Sequence, residues 1–492
     1  MSEFKRIVNV IPLTRVKLAG PQIFTYLVPL NLQDQLRPGQ LVKIPFGARR
    51  ILGVTTSFEM HRLPKEIKGL KSLDELLDAS PVLSEVNLAL AEQISRYYLV
   101  SLGLTVKAML PKRVKKLQEP TLAGFERANP DFVLTEHQRL AAAQISSALG
   151  KAEIFLLKGV TGSGKTEVYM QAIDHVLKQG KGAIVLVPEI SLTPQTVERF
   201  VGRFGDRIAV LHSHLSTGER HDEWHRVRDG KADIVVGARS AVFAPVRNLG
   251  LIVVDEEHEP SYKQEEAPRY NARDVAVMRG RMESCAVVLG SATPSLESWN
   301  NAKQGKYQLA ILSQRADNRK MPTVKVIDMR VETQRNNGRG SVFSKELLDA
   351  IKVRVDRAEQ VILFLNRRGY ATSLVCPKCG HVSKCDQCSV SLTYHRDTEE
   401  LLCHICGGRR PVPSKCPGCQ DPAFRFAGVG TQRTEAIMRK CFPHARIQRM
   451  DADVTTRKDS YERILGEFRA RKTDILIGTQ MISKGLHFPN VT

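Results

Sequence analysis

One stretch of the chain has the residue types and spacing needed to bind a nucleoside triphosphate. It matches the pattern G-x-x-x-x-G-K-[ST], in which backbone amides surround phosphate oxygens and a lysine neutralises their charge. Its residues are Gly159, Val160, Thr161, Gly162, Ser163, Gly164, Lys165 and Thr166. We expect Lys165 to reach the β- and γ-phosphates of ATP and the Thr166 hydroxyl to ligate Mg²⁺. The alternative is a glycine-rich turn between a strand and a helix.

A pair of carboxylates follows the apolar run 251–254. Asp255 is placed as the carboxylate that holds Mg²⁺, and Glu256 as the one that orients or activates the attacking water. An acidic loop tip is the alternative. Upstream of the phosphate loop, Thr135 is a candidate N-cap, and Gln138 lies in the first turn of the helix that follows. Gln138 is a candidate for reading the adenine edge, and a surface glutamine is the alternative.

Aromatic and cationic side chains alternate after the acidic pair. They are Tyr262, Lys263, Tyr270 and Arg273. Such a mixture is suited to stacking on bases and holding phosphates, so we expect this segment to bind DNA and couple it to ATP hydrolysis. Ordinary packing of the two tyrosines is the competing interpretation.

Eight of the ten cysteines form four C-x-x-C pairs. The pairs are Cys376/Cys379, Cys385/Cys388, Cys403/Cys406 and Cys416/Cys419. Each pair can present two thiolates to one metal ion, so eight ligands predict two tetrahedral, structural zinc sites. Fourteen residues separate Cys388 from Cys403, enough for a hairpin, which favours one ion shared by the inner pairs. Sequential pairing, disulfides and an iron–sulfur cluster are the alternatives.

The elements around these residues predict an α/β protein. Apolar strands alternate with helices, and the polar motifs follow the carboxyl ends of the strands, where parallel sheets bind ligands. We expect two RecA-like parallel-sheet lobes, at 131–318 and 319–492, with a Cys-rich zinc insertion at 374–422 in the second. A β-rich domain at 1–110 and a basic linker at 111–130 precede them. Finer predictions are a helix at 74–79, a strand at 324–327 and a flexible loop at 331–340.

The charge of the 492-residue chain favours a polyanionic partner. Lysine and arginine number 73 against 52 aspartates and glutamates, a formal net charge of +21. The sequence contains no apolar run long enough to cross a membrane and begins without a signal-peptide pattern. We therefore expect a cytoplasmic nucleic-acid-binding protein, in which paired cysteines favour metal over disulfides.

These motifs together resemble the PriA family of bacterial primosomal replication-restart helicases, which belong to superfamily 2. The matching stretches are 159–169, 187–195, 255–258, 290–295, 361–370, 478–485 and the eight cysteines. The combination of an Asp-Glu-Glu-His box, an aromatic-bearing loop after it and four cysteine pairs in the second lobe is highly specific.

The resemblance implies an ATP-dependent helicase that moves 3′ to 5′ at stalled or abandoned forks and starts primosome assembly. The N-terminal domain would bind a DNA 3′ end. Partners would be forked and single-stranded DNA, single-stranded DNA-binding protein, primosome proteins and the replicative helicase with its loader. The protein would be a nucleoid-associated monomer. The resemblance also implies that outer cysteine pairs share one zinc and inner pairs the other.

Two departures from the family pattern are visible. The twenty residues at 111–130 leave no room for the family's winged-helix domain, and the chain ends after motif V, before the arginine-bearing motif VI. We therefore expect a fragment or truncated gene product that binds ATP and DNA but hydrolyses ATP very slowly. Competing hypotheses are another superfamily 2 translocase and a fork-binding assembly protein without turnover.

Overall fold

The computed structural model divides the chain into two compact units, Met1–Lys320 and Met321–Thr492. The residues that it describes are 4–62, 69–111, 133–188, 194–212, 215–317, 322–335, 341–365, 373–376, 378–395, 400–403, 406–422, 425–427, 431–450, 460–479, 482 and 488–491. No helix in these ranges is both long and apolar enough to span a membrane.

The first unit begins with an antiparallel five-stranded sheet. Its strands are β1 (Phe4–Pro12), β2 (Phe24–Leu27), β3 (Leu41–Phe46), β4 (Arg49–Arg62) and β5 (Glu75–Leu76), in the order β2-β1-β4-β3-β5. The helices α1 (Glu85–Tyr97) and α2 (Leu102–Met109) follow. The Ser84 side chain accepts a hydrogen bond from the amide of Asn87, which caps α1.

The helix predicted at 74–79 is wrong. The chain there forms β5 instead, because Lys43 pairs with Glu75 and Val42 with Leu76 along the open edge of β3. Backbone pairing to an existing sheet edge therefore overrides the helical preference of this short segment.

A parallel seven-stranded sheet forms the rest of the first unit. Its strands are β6 (Ile154–Gly159), β7 (Gly182–Leu186), β8 (Ile208–Leu211), β9 (Ile234–Gly237), β10 (Leu249–Asp255), β11 (Ala286–Ser291) and β12 (Gln308–Leu312). The order is β12-β6-β11-β10-β7-β9-β8. The helices are α3 (Glu136–Ser147), α4 (Lys165–Lys178), α5 (Pro194–Phe204), α6 (Thr217–Arg228), α7 (Ala272–Met282) and α8 (Leu296–Lys303).

Both faces of this sheet are buried, which explains its continuous apolar strands. Along β6, Phe155 and Leu157 enter one hydrophobic cluster, while Ile154 and Leu156 enter the other. The second cluster continues into α1 and α2, so the N-terminal helices and the parallel sheet share one core. The parallel α/β architecture predicted for this region is confirmed.

The second unit contains a smaller parallel sheet, β13-β20-β19, and short antiparallel strands around the cysteines. Its strands are β13 (Val361–Phe364), β14 (Ser373–Val375), β15 (Thr393–His395), β16 (Glu400–Leu402), β17 (Arg409–Pro411), β18 (Arg425–Ala427), β19 (Ile447–Met450) and β20 (Ile475–Gly478). Its helices are α9 (Met329–Arg335), α10 (Lys345–Asp356), α11 (Thr431–Cys441) and α12 (Ser460–Arg469).

Two finer predictions fail in this unit. The segment 324–327 forms no strand, and Val324 and Val326 are exposed without a sheet partner among the described residues. The predicted loop at 331–340 begins inside α9, because the Asp328 carboxylate accepts a hydrogen bond from the amide of Arg330 and caps that helix. Residues 336–340 lie outside the described residues.

Candidate nucleotide-binding site and metal centres

Three neighbouring strands of the large sheet bring the phosphate loop and the acidic pair to one edge. Asp255 at the end of β10 pairs in register with Gly290 of β11, and Ser291 pairs with Lys158 of β6. The phosphate loop begins at the next residue, Gly159. Residues far apart in the chain therefore end at the same level of the sheet.

The phosphate loop has a conformation that its glycines permit. Gly162 and Gly164 have φ angles of +80° and +79°, in the left-handed region that favours glycine. α4 starts at Lys165, whose Nζ donates a hydrogen bond to the carbonyl oxygen of Gly159 at 3.1 Å. The buried Ser163 Oγ has no hydrogen-bond partner among the described residues. A polar cradle at a helix N-terminus suits a nucleotide phosphate.

Gln138, on α3, contacts the backbone of the phosphate loop. Its Oε1 accepts a hydrogen bond from the Thr135 amide at 2.9 Å, and its Nε2 donates to the Ser163 carbonyl at 2.8 Å. The side chain is buried, and a Cβ on Gly164 would collide with Nε2. The expected Thr135 cap is present as a capping box. The structure thus makes Gln138 a brace for the loop, and adenine recognition by Gln138 stays a proposal.

Asp255 is held by a tyrosine that reaches it from α4. The Tyr169 hydroxyl donates to Asp255 Oδ1 at 3.0 Å. Any side chain at Gly290 would occupy the space of this hydroxyl, so glycine is required there. Burial and the neighbouring Glu256 raise the pKa of Asp255 to about 6, while the Lys165 charge opposes that rise. Burial makes the negative charge of this carboxylate unfavourable unless a cation compensates it, and Mg²⁺ prefers oxygen ligands such as carboxylates.

Glu256 occupies a strained turn directly after the strand. Its φ of +46° places a non-glycine residue in the left-handed region. Its Oε2 lies 3.6 Å from Nδ1 of His258, and the same Nδ1 lies 2.7 Å from Ser291 Oγ. The Asp-Glu-Glu-His segment 255–258, called the acidic box below, is therefore joined to the end of β11 by a direct side-chain contact.

Arg273, expected to hold DNA, is committed to a buried carboxylate instead. Its Nη1 lies 3.3 Å from Glu257 Oε2 and donates to Ser295 Oγ at 2.7 Å. Glu257 also accepts from the Ser295 amide and from the Ser298 hydroxyl, at 2.7 and 2.8 Å. The expected DNA contact by Arg273 is corrected to a role in fastening the acidic box to α7 and α8.

The two tyrosines are buried and cannot stack on bases. The Tyr262 hydroxyl lies 2.6 Å from the carbonyl oxygen of Asp255 and 3.0 Å from that of Leu186. The Tyr270 ring packs edge-on against Phe243. Both residues are at most 2% exposed, so the packing interpretation replaces the stacking one. Lys263 alone of the four expected residues is exposed.

The cysteine pairs share one backbone design. In each, the amide of the residue after the second cysteine donates to the carbonyl of the first, at 2.8–2.9 Å. That residue is left-handed in all four pairs, with Gly380 and Gly407 at +75°, Ser389 at +55° and Gln420 at +59°. This turn points both sulfurs of a pair in one direction.

The sulfurs gather into two groups of four. The groups are Cys376, Cys379, Cys416 and Cys419, and Cys385, Cys388, Cys403 and Cys406. The ligand atoms of each group lie within 4.8 Å of one another, and three of the sulfur–sulfur separations are 3.5–3.6 Å. Thiolates bound about 2.3 Å from a tetrahedral zinc ion lie about 3.8 Å apart. Each group therefore fits one zinc ion, and the structure shows the outer-with-outer pairing, not the sequential one.

Sequence reasoning missed two residues that organise this edge. Tyr169 had a signal, since it lies one helical turn after Lys165 and so faces the same side of α4. Glu257 had none, because a third acidic residue in a row is indistinguishable from a solvated loop until α8 is seen to cover it.

Three family models match the chain. One for the DEAD/DEAH box helicase covers residues 135–302. One for the PriA 3′ DNA-binding domain covers 14–111, and one for the Cys-rich region domain of PriA DNA helicase covers 385–411.

Curated relatives named replication restart protein PriA are similar over most of the chain. The Bacillus subtilis protein is 53% identical over 370 residues, which are 75% of this chain and 46% of that relative. The Haemophilus influenzae protein is 36% identical over 98% of this chain and 76% of its own length. The Treponema pallidum protein is 39% identical, with 95% and 71% covered. The chain thus spans about half to three-quarters of the length of these relatives.

Proposed function

The chain belongs to the PriA family of replication restart proteins, and we propose that it is an ATP-dependent DNA helicase that recognises stalled or abandoned forks. It would move 3′ to 5′ and start primosome assembly. The observation that carries this proposal is the strand register, which places the phosphate loop and Asp255 at one edge of the parallel sheet.

In this proposal the phosphate loop, residues 159–166, binds the triphosphate of ATP. Its amides and the Lys165 ammonium neutralise the β- and γ-phosphates, while Thr166 and Asp255 hold Mg²⁺. The bound Mg²⁺ supplies positive charge to the phosphates. Tyr169 keeps the Asp255 carboxylate oriented through its 3.0 Å hydrogen bond.

Glu256 orients the water that attacks the γ-phosphate and accepts its proton. Its backbone turn at the strand end fixes the direction of the carboxylate. Because His258 lies between Glu256 and Ser291, a movement at the end of β11 would change the position of the catalytic carboxylate. This contact offers a route by which DNA binding could be coupled to hydrolysis.

DNA would bind through the N-terminal domain and exposed cations such as Lys263, supported by the net charge of +21. The two zinc ions would be structural, because each has four cysteine ligands and no position for water. Proposed partners are single-stranded DNA-binding protein, primosome proteins and the replicative helicase with its loader. The proposed location is the bacterial cytoplasm, at the nucleoid.

Lys165→Ala, made in a chain long enough to hydrolyse ATP at a measurable rate, tests the proposal. We expect DNA-stimulated ATP hydrolysis to fall by about a hundredfold or more, because a cation on the transferring phosphates is lost. Binding of a forked DNA should change little. Lys178→Ala, at the exposed end of the same helix, is the matched control and should retain the parental rate.

Unwinding of partial duplexes tests the polarity. In the same longer chain, a duplex with a 3′ single-stranded tail should be opened and one with a 5′ tail should not. Parent protein that binds forks tightly and hydrolyses no ATP would instead support the assembly-protein hypothesis.

A further inference from the structure

The segment after the edge strand β12 fastens the outer side of the phosphate loop. The Val160 amide donates to the Leu312 carbonyl at 3.2 Å, and the Ala316 amide donates to the Gly162 carbonyl at 2.9 Å. Residues 312–316 and the phosphate loop are thus joined at two points. Ser313 also approaches the ring of His137, at 3.4 Å, on the helix that carries Gln138.

Arg315 lies between these two attachment points, with its guanidinium against Gly162. A Cβ on Gly162 would lie 3.3 Å from Nε, 3.4 Å from Cζ and 3.4 Å from Nη2 of Arg315. Three atoms of the guanidinium at nearly equal distance mean that its flat face covers this glycine. The φ of +80° favours glycine at position 162, and the absence of a side chain there leaves room for the guanidinium.

The guanidinium is held there by one carboxylate. Its Nε and Nη2 lie 3.1 and 3.2 Å from the two oxygens of Asp317, a bidentate ion pair. The Arg315 side chain is 27% exposed and that of Asp317 43%, so part of the cation faces solvent beside the phosphate loop. Lys165, a cation within the phosphate loop itself, donates a hydrogen bond to the carbonyl oxygen of Gly159.

We propose that Arg315 is a further nucleotide-binding residue, which contacts the phosphates of the nucleoside triphosphate held by residues 159–166. The proposal rests on the function proposed above. Guanidinium binds phosphate and carboxylate in the same bidentate geometry, so Asp317 holds Arg315 in a position from which it can transfer to a phosphate oxygen. Asp317 then competes with the nucleotide for the same cation.

Nucleotide affinity of single variants tests this. Arg315→Ala should weaken binding of ATP roughly ten- to a hundredfold, the effect of losing a charge-assisted hydrogen bond. It should weaken binding of inorganic tripolyphosphate, which has no base, by a similar factor. Arg315→Lys should restore part of the loss. Arg281→Ala, an exposed arginine of the same unit, should bind as the parent does.

Asp317→Asn separates phosphate binding from a purely structural ion pair. If Arg315 contacts phosphate, removing its competitor leaves ATP affinity unchanged or raises it. If the pair only braces the loop, Asp317→Asn weakens ATP binding as much as Arg315→Ala does, and the proposal is overturned. A loss for ATP without a loss for tripolyphosphate would assign Arg315 to the base and also overturn it.

Lys165→Ala distinguishes failure of this inference from failure of the proposed function. If Lys165→Ala weakens tripolyphosphate binding while Arg315→Ala binds it as the parent does, only the role of Arg315 is wrong. If neither variant changes binding, the phosphate loop itself is not the nucleotide site. Equal thermal unfolding midpoints of the variants and the parent would show that the fold is retained.

Discussion

One edge of the seven-stranded sheet, which we call the nucleotide edge, carries the phosphate loop and Asp255. This edge and the two groups of four cysteines hold their functional atoms in different ways. At the nucleotide edge, seven strands with a buried core on both faces position a few polar side chains. Around the cysteines the strands are three residues long. The buried cluster described there has five members, two of them cysteines: Leu374, Cys385, Leu392, Leu401 and Cys403.

The two sites should therefore depend on their ligands to different extents. The core of the first unit can form without a nucleotide, because the apolar burial that stabilises it lies away from the loop. The Cys-rich region buries too little apolar surface to fold alone, so metal binding must supply its folding free energy.

Chelation of zinc should have the largest effect and should stay local. Removing the metal is expected to unfold the Cys-rich region while the seven-stranded sheet remains folded, because metal binding stabilises that region alone. Hydrogen exchange, followed residue by residue before and after chelation, measures this. Loss of protection in β6 or β10 at the same chelator concentration would contradict the contrast.

A single ligand change should remove one ion. Cys385→Ser is expected to lower the zinc content from about two ions per chain to about one, because four thiolates complete each tetrahedral site. Cys441→Ser, an exposed cysteine outside both groups, is the control and should keep both. Metal analysis of protein purified without chelator gives the count, and an iron–sulfur absorption band would reject zinc.

Low pH should weaken Mg²⁺ binding at the nucleotide edge, and we expect this effect to be smaller than the effects of removing zinc or a zinc ligand. Because the pKa of Asp255 is raised to about 6, a proton competes with Mg²⁺ below that pH, and apparent Mg²⁺ affinity should fall by up to about tenfold per pH unit. The raised pKa has a consequence for folding as well. Asp255 contributes stability at low pH, and this contribution is lost as the pH rises through about 6.

Calorimetric titration of Mg²⁺ with a non-hydrolysable nucleotide across this pH range locates the inflection. Tyr169→Phe removes a hydrogen bond that lowers the pKa of Asp255, so its inflection should move to higher pH. Tyr97→Phe, which removes an exposed tyrosine hydroxyl of the same unit, is the matched control and should keep the parental inflection. A midpoint near 4 in the parent would show that Asp255 is not buried as described.

The smallest effect concerns the left-handed residue of each cysteine turn. Gly407 has open space around the position of a Cβ, so Gly407→Ala tests backbone conformation alone. It should destabilise the zinc-bound region by about 1 kcal/mol, since L-residues avoid this conformation. Ser389→Gly, at the same place in another turn, should change stability by less and in the opposite direction. The chelator concentration that releases half of the zinc ranks the variants.

Much of the fold followed from local pattern. Apolar runs bounded by polar motifs predicted the parallel strands, because a strand buried on both faces has no polar alternation. The predictions failed where pairing partners decide the outcome. Residues 75–76 became a strand because the edge of β3 was open, and 324–327 remained unpaired.

The residues of the candidate sites also divide into those that the sequence predicts and those that it does not. The phosphate loop, Asp255 and the cysteine pairs are visible in the sequence, since the residues of each motif are neighbours along the chain and their spacing carries the geometry. Tyr262, Tyr270 and Arg273 misled, because composition does not reveal whether an aromatic or cationic side chain faces water or core. Their burial depends on strands and helices that lie far away in sequence.

Residue types and their spacing along the chain therefore predict which groups bind phosphate and metal. The groups that support them are visible only in the folded chain. They include the contact of Tyr169 with Asp255 past Gly290, the Glu257 carboxylate under α8 and the Arg315 guanidinium on Gly162. This is so because a motif is held together by backbone connectivity, whereas its support comes from strands that meet only when the sheet forms.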